Sequence, residues 1–326
     1  MSNLLDVKDL WVRFDTPQGA VDANRAVTLS VNYGETLGLM GESGCGKSVL
    51  ALSLLRLQNP ARIIRGSISL EGRDLLLLSE REMRAARGRL VALMPQDHGT
   101  SLNPLQTIGT HLFEAIAVRD GVRGLWRNLF PSRNGKGNSA ERAMAALRSV
   151  GFHSPERIIG MYPHQLSGGM RQRVLIALIG LLEPKLAVCD EPTTALDTRA
   201  KKEVMYQLSR LKEHTSLLLI SHDIMALRAL SDRIAVMYAG AIVEEGSRDE
   251  VLLDPLHPYT RGLLSAQRCD RGNPLTPIPG DSPDLLRVPE GCAFHPRCPI
   301  SVEVCRLRKP TERAIGKRRV ACYLYD

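Results

Sequence analysis

Three groups of residues in this chain have types and spacing that could do chemistry. The first is GESGCGKS (41–48), which sets Gly41, Gly46, Lys47 and Ser48 in the pattern G-x-x-x-x-G-K-[ST] between the apolar run TLGLM (36–40) and the helical VLALSLLRL (49–57). In that setting the backbone N–H groups of Gly41, Glu42, Ser43, Gly44, Cys45 and Gly46, with the helix start through Val49, can cradle a phosphate chain. Lys47 then reaches the outer phosphates and the Ser48 hydroxyl can ligate magnesium. The second group is Asp190-Glu191, after KLAVC (185–189). One acid can support a magnesium ion and the other can polarise an attacking water in phosphoryl transfer. The third is four thiols close to the C-terminus.

Such groups need elements to aim them. TLGLM, LVALM (90–94), KLAVC and SLLLI (216–220) each run about five apolar residues into polar ones, which predicts buried parallel strands. In open parallel sheets, ligands sit beyond the carboxyl ends of the strands. The phosphate loop, Gln96, Asp190-Glu191 and His222 all fall there. By type alone, adjacent acids usually cap a helix, and a lone Gln or His at a strand end is usually structural. The shared placement is what singles out Gln96, to bridge metal and water, and His222, to contact the γ-phosphate.

A second glycine turn, Ser167-Gly168-Gly169, opens the helical stretch MRQRVLIALIGLL (170–182). A serine N-cap beside glycines makes another anion-binding helix start. Ser-Gly-Gly alone reads as a simple capped helix start; in a chain with a single lysine loop, a second phosphate-binding turn also fits two chains head to tail, each closing over the other's nucleotide.

At 326 residues, 44% apolar and 24% charged, the chain has the composition of a folded protein with one large domain and an appendage. Its formal charge of +8 is scattered, and the densest basic trio, Lys317-Arg318-Arg319, reads as solvated surface. No signal peptide is visible, and the longest apolar run, VLIALIGLL (174–182), is too short to cross a bilayer, so a soluble, cytoplasmic chain is expected. GVRGLWRNLFPSRNGKGNS (121–139) reads as a loop or insertion, and AERAMAALRSVG (140–151) after it as helix. Beyond about residue 250, proline density argues against continued sheet and for a loop-rich module.

The motifs together resemble those of the ABC ATPases: GESGCGKS the Walker A loop, Gln96 the Q-loop, LSGGM (166–170) the signature, LAVCDE (186–191) Walker B, TALD (194–197) with Asp197 the D-loop, and SHD (221–223) the switch histidine. Phe14 stands where that family places an aromatic ring against adenine. MPQDHGTSLNPL, YPHQLSGGMRQR, CDEPTTALD, VMYAGAIVEEG and HPYTRGLL are similar, more narrowly, to the ATPase subunits of dipeptide, oligopeptide and nickel importers. The departures are MPQDHG, in place of a phenylalanine-containing lead, and a long 121–139 stretch.

The resemblance implies an α/β P-loop NTPase. Its RecA-like core, with a mostly parallel sheet and an antiparallel β portion, would span 1–96 and 172–250. A helical subdomain bearing the signature would span 97–171, and a C-terminal extension 251–326. It implies ATP and Mg2+ as cofactors, with Ser48, Gln96 and Asp190 toward the metal. Glu191, His222 and Gln96 would be catalytic, and Ser167, Gly168, Gly169 and Asp197 would act across a dimer. The implied partners are a second ATPase subunit (of a different kind), two membrane permeases and, indirectly, an extracytoplasmic solute-binding protein. No nucleic acid is expected, and the implied location is peripheral, at the cytoplasmic face of a bacterial inner membrane. The rivals are a soluble ABC ATPase acting on nucleic acid or ribosomes, and a nucleotide-binding scaffold without turnover. The cargo is set by other subunits.

Cys292, Cys298, Cys305 and Cys322 are spaced C-x5-C-x6-C-x16-C. Four thiols so placed in a reducing compartment suggest metal, but they lack the C-x2-C pairs of structural zinc sites. A [4Fe–4S] cluster needs four thiolates, and the tail resembles an extension that carries one in some dipeptide-importer ATPases. Zinc and unliganded thiols remain the alternatives. Cys45 and Cys189 read as small packed apolar residues, and Cys269 has no evident partner.

Overall fold

Thr36–Met40 is buried along its whole length, as a short apolar run bounded by turns must be when it forms an inner strand. Leu186–Asp190 and Ser216–Ile220 are buried in the same way. The computed structural model describes residues 3–97, 99, 101–121, 136–194, 196–266 and 277–326. They form two compact units, Met1–Leu77 with Leu218–Asp326, and Leu78–Leu217.

The first unit opens with β1 (Asn3–Thr16), β2 (Gly19–Asn32), β3 (Thr36–Met40), α1 (Lys47–Leu54), β4 (Arg62–Leu70) and β5 (Arg73–Asp74). β1 and β2 form a long antiparallel hairpin that closes at Thr16 and Gly19, in a sheet ordered β2-β1-β4-β5. Apolar residues alternate along both strands, so Leu5, Val7, Leu10 and Val12 of β1 and Val27, Leu29 and Val31 of β2 are buried.

The second unit holds α2 (Glu80–Ala86), β6 (Val91–Met94), α3 (Ile108–Arg119), α4 (Lys136–Ser149), α5 (Pro155–Ile159), α6 (Gly168–Leu182), β7 (Leu186–Asp190) and α7 (Thr198–Leu211). β6 and β7 run parallel, with Val91 opposite Leu186 and Met94 opposite Cys189. α6 carries the longest apolar run. It buries Val174, Leu175, Ile176, Ala177, Ile179 and Leu181, which explains the run as core. Among the described residues no helix is long and apolar enough to cross a membrane. Of the expected 121–139 loop, residues 122–135 lie outside the described residues, and helix α4 already begins at Lys136.

β8 (Ser216–Ile220) crosses the division and leads back to the first unit, which continues with α8 (Ile224–Leu230), β9 (Arg233–Tyr238), β10 (Ala241–Ser247), α9 (Arg248–Leu253), α10 (Pro258–Ser265), α11 (Glu303–Leu307), β11 (Arg313–Ile315) and β12 (Arg318–Val320). β3 pairs in parallel with β9, and β9 pairs antiparallel with β10.

Two expectations for the tail are corrected here. Sheet does continue beyond residue 250: β12 adds antiparallel to β10, with Glu244 opposite Val320, and β11 folds back on β12. The hairpin RAIGKRRV contains no proline and turns at Gly316 (φ 63°), so the proline argument does not reach it. The basic trio is not solvated surface either. Only Lys317 is exposed. Arg318 is buried and pairs with Glu244 at 3.1 Å, while Arg319 bonds Glu245 and Glu312. β12 alternates like any strand, and its inward arginine meets an inward acid.

Candidate nucleotide site and cysteine pocket

β3 delivers the chain to Gly41 at its carboxyl end, and the glycine-rich turn runs from there to the start of α1. Gly46 caps α1 in a left-handed conformation (φ 107°), and a Cβ on it would lie 2.2 Å from the Ala23 carbonyl oxygen, so only glycine fits. Asn24, fully buried, donates to the Gly46 carbonyl at 3.1 Å and ties the turn to β2. Lys47 is itself buried. Its ammonium donates to the Gly41 and Glu42 carbonyls at 2.8 and 2.7 Å, and its contact with the Cys45 thiol is 3.6 Å. The loop thus folds around its own cation, with Ser48 next on the helix. Cys45 is buried in the turn, which pushes its thiol up. Phe14 sits half-buried on β1, opposite Val21.

Glu42 is held from several directions. Its N–H donates to the Tyr259 hydroxyl at 2.8 Å. Its carboxylate accepts from Arg297 at 2.8 and 3.0 Å and from the Ser282 hydroxyl at 2.7 Å. Burial pushes this carboxyl up, but the bonds from Arg297 and Ser282 outweigh it and hold the group below the usual carboxylate range. Glu42–Cys45, Tyr238, Ala239 and Ser282–Leu285 line a cavity of about 240 Å3.

His222 follows β8 and is exposed, one residue after Ser221, whose N–H bonds the Leu39 carbonyl of β3 at 3.2 Å. In the first unit, then, the glycine turn and His222 leave neighbouring strands at their carboxyl ends.

The second unit gathers the remaining residues. Gln96 is exposed just beyond β6, and Asp190 and Glu191 are buried at the end of β7, the parallel neighbour of β6. Glu191 has φ 51°, a left-handed conformation that costs a non-glycine residue about 1–3 kcal/mol, and its carboxylate accepts from Thr194 at 3.0 Å. Cys189 is fully buried, which pushes its thiol to about 12.

Ser167 caps α6 by accepting from the Met170 N–H at 3.3 Å. Asp197 caps α7 by accepting from the N–H groups of Arg199 and Ala200, both at 2.9 Å. Ser167, Gly168, Gly169 and Asp197, from the starts of both helices, line one open cavity of about 580 Å3, with Arg173, Arg199 and Glu203 also in its wall. A Cβ on Gly168 would meet nothing within 4 Å.

The four C-terminal thiols converge. Cys292, Cys298, Cys305 and Cys322 all line one cavity of about 170 Å3, together with Phe294, Ile300, Val302 and Leu324. None is in a disulfide. Backbone groups at Phe294, Ile300 and Leu324, in each case two residues further on, pull the thiols of Cys292, Cys298 and Cys322 down, but burial outweighs them. Cys292 is pushed up to about 11. Among the described residues, no three His, Cys, Asp or Glu side chains are grouped so as to hold a metal ion. Cys269 lies outside the described residues.

The sequence patterns did not point to Asn24, Tyr259, Ser282 or Arg297. The only sequence signals near them are HPYT (257–260) and HPR (295–297), whose prolines start short helices.

Residues 24–194 match the family model described as ABC transporter, and residues 243–305 match the oligopeptide/dipeptide transporter C-terminal region. The chain is 40% identical over 324 residues to the oligopeptide transport ATP-binding protein OppD of Escherichia coli, covering 98% of this chain and 93% of that protein. It is 39% identical over 333 residues to the dipeptide transport ATP-binding protein DppD of Bacillus subtilis, covering 100% and 96%. Among solved structures, the ATP-binding cassette MJ0796, described as a dimer in a post-hydrolysis state with ADP and Pi, superposes with a TM-score of 0.64. It is 25% identical and covers 75% of this chain and 98% of its own.

Proposed function

The chain belongs to the ABC transporter family, and from that premise we propose that it is the ATP-hydrolysing subunit of an importer for oligopeptides or dipeptides, the solutes named for its relatives. Those relatives are transport proteins along nearly their whole length, which favours import over action on nucleic acid or ribosomes.

The observation that carries the dimeric part of this reading is the cavity shared by Ser167, Gly168, Gly169 and Asp197. Nothing inside this chain requires glycine at Gly168, where a Cβ would meet open space. A phosphate chain pressed against the start of α6 would require it. The proposed arrangement is two subunits head to tail, the phosphate loop of one facing this cavity of the other. We assign the second subunit to a different chain, the pair resting on two permeases at the cytoplasmic face of the membrane and served by an extracytoplasmic binding protein.

Within one ATP site, Lys47 and the turn's N–H groups bind the phosphates and Phe14 packs on the base. Magnesium, when bound, neutralises charge on the phosphate oxygens, and its proposed ligands are Ser48, Gln96 and Asp190. Glu191 takes a proton from water as that water's oxygen attacks the γ-phosphorus and the bond to the bridging oxygen breaks, leaving ADP. His222 and Gln96 hold the γ-phosphate and the water. The strained backbone at Glu191 supports this role, since such strain collects at functional sites. Glu191→Gln is expected to keep ATP affinity and lower turnover by about 10²–10⁴-fold, the range for losing a general base. Undiminished turnover with the partner subunit present rejects the assignment.

The cysteine pocket supports a second assignment: Cys292, Cys298, Cys305 and Cys322 hold a [4Fe–4S] cluster. What supports the reading is that four thiols, the number such a cluster needs, line one largely apolar cavity. Anaerobically purified protein should be brown and lose the colour in Cys298→Ser. Colourless protein carrying stoichiometric zinc overturns the assignment.

A further inference from the structure

Arg297 is buried in a sequence segment with no motif for nucleotide, yet its guanidinium ends on the second residue of the phosphate loop. It donates to both Glu42 carboxylate oxygens, to the Pro279 carbonyl at 3.0 Å and to the Tyr238 hydroxyl at 3.4 Å, and it lies 5.9 Å from the Tyr238 ring centre. A planar guanidinium gripping a carboxylate through two nitrogens fixes direction as well as distance. The next residue along the chain is Cys298. Phe294, which lines the cysteine pocket, also packs edge-on against Tyr238 and Tyr259, with ring centres 5.2 and 5.4 Å away. Tyr259 in turn accepts the Glu42 N–H. Main chain and side chain of Glu42 are therefore both held by residues that touch the pocket wall or adjoin a pocket cysteine.

We propose that Arg297 is a positioning residue for the phosphate loop, gripping Glu42 from the turn that carries Cys298, so that nucleotide affinity is coupled to the integrity of the cysteine pocket. The proposal rests on the nucleotide reading above, but it does not follow from it, because the phosphate-loop pattern is complete without any C-terminal residue. The loop's cradle depends on N–H groups held in one arrangement; Asn24 fixes its far end at Gly46, and Glu42 is where C-terminal residues fix its near end. By reciprocity, nucleotide in the loop should in turn steady the pocket.

The test is the affinity of the full-length, anaerobically purified chain for a fluorescent ATP analogue, with thermal melting alongside to confirm folding. Arg297→Met is expected to weaken binding about five- to tenfold, the lower part of the range for coupled sites. Glu42→Gln should do the same, and the double variant no worse than either single one, while Arg297→Lys should recover part of the affinity. Cys298→Ser should weaken binding in the native background and add nothing to Arg297→Met. In steady-state turnover KM should rise in step with the dissociation constant, which a loss of folded protein alone cannot produce. If Arg297→Met does not fold, Glu42→Gln and Ser282→Ala carry the test at the loop end. Native affinity in the folded Arg297 variant, additive effects of Arg297 and Glu42, or a Cys298→Ser effect that is absent or undiminished in the Arg297→Met background overturns the proposal. Lys47→Ala separates the two readings: if it too leaves binding intact, the nucleotide site itself is misplaced.

Discussion

Replacing Arg318 by methionine puts a number on the claim that the C-terminal hairpin is built into the fold. The guanidinium is buried against Glu244, which is 1% exposed. The Glu244 carboxylate also accepts the N–H groups of Leu256 and His257 at 2.8 and 2.9 Å. Breaking a buried pair by removing one partner costs about 3–5 kcal/mol, because a charge is left without compensation. Two backbone bonds remain to Glu244, so the expected loss is about 3 kcal/mol, the low end. With a slope of about 3 kcal/mol/M or more in urea, as the length of this chain requires, the unfolding midpoint should fall by up to about 1 M. Lys317→Met, one residue away and exposed, should change stability by no more than about 0.5 kcal/mol. Adding Glu244→Gln to Arg318→Met should restore part of the loss, since the stranded charge is gone. Adding salt should not narrow the gap between the two arginine backgrounds, because buried charges are poorly screened. The reasoning is refuted if Arg318→Met costs no more than Lys317→Met.

Other outcomes follow from the same geometry. Gly46→Ala drives a methyl to 2.2 Å from the Ala23 carbonyl at a positive φ, so it should abolish ATP-analogue binding, and retained affinity would mean that the turn is wrongly placed. Cys189 is protonated below about pH 12 in the folded chain, because burial disfavours its thiolate. Iodoacetamide at pH 8 should therefore leave it unlabelled until denaturant is added, as mass spectrometry of peptides would report.

The strands that carry the phosphate loop, Gln96, Asp190 and His222 were legible because each is a five-residue apolar run ending in polar chemistry, a pattern that depends on neighbours in sequence alone. The Ser167 cap was legible for the same reason. Arg297 and Tyr259 were not, because they meet Glu42 across more than 200 residues and nothing local marks a partner so distant. Arg318 misled: three consecutive basic residues look solvated, and only pairing with β10 reveals that the middle one points inward. The cysteines were readable as a group, but their common cavity depends on a fold whose short 3-10 turns and five-residue helix α11 leave little periodic signal.

The attachment of β12 to β10 has a consequence for how this chain can be shortened. Cutting it after α9 would leave β10 as a bare rim of unpaired amides and carbonyls, a template for sticking to other chains. At present the rim ends instead in β11, three exposed residues beginning with Arg313, too short to recruit a stranger. Any excised fragment should therefore clump unless it keeps residues 313–326, so the stretch that carries Cys322 is also what keeps the molecule from adhering to its own kind.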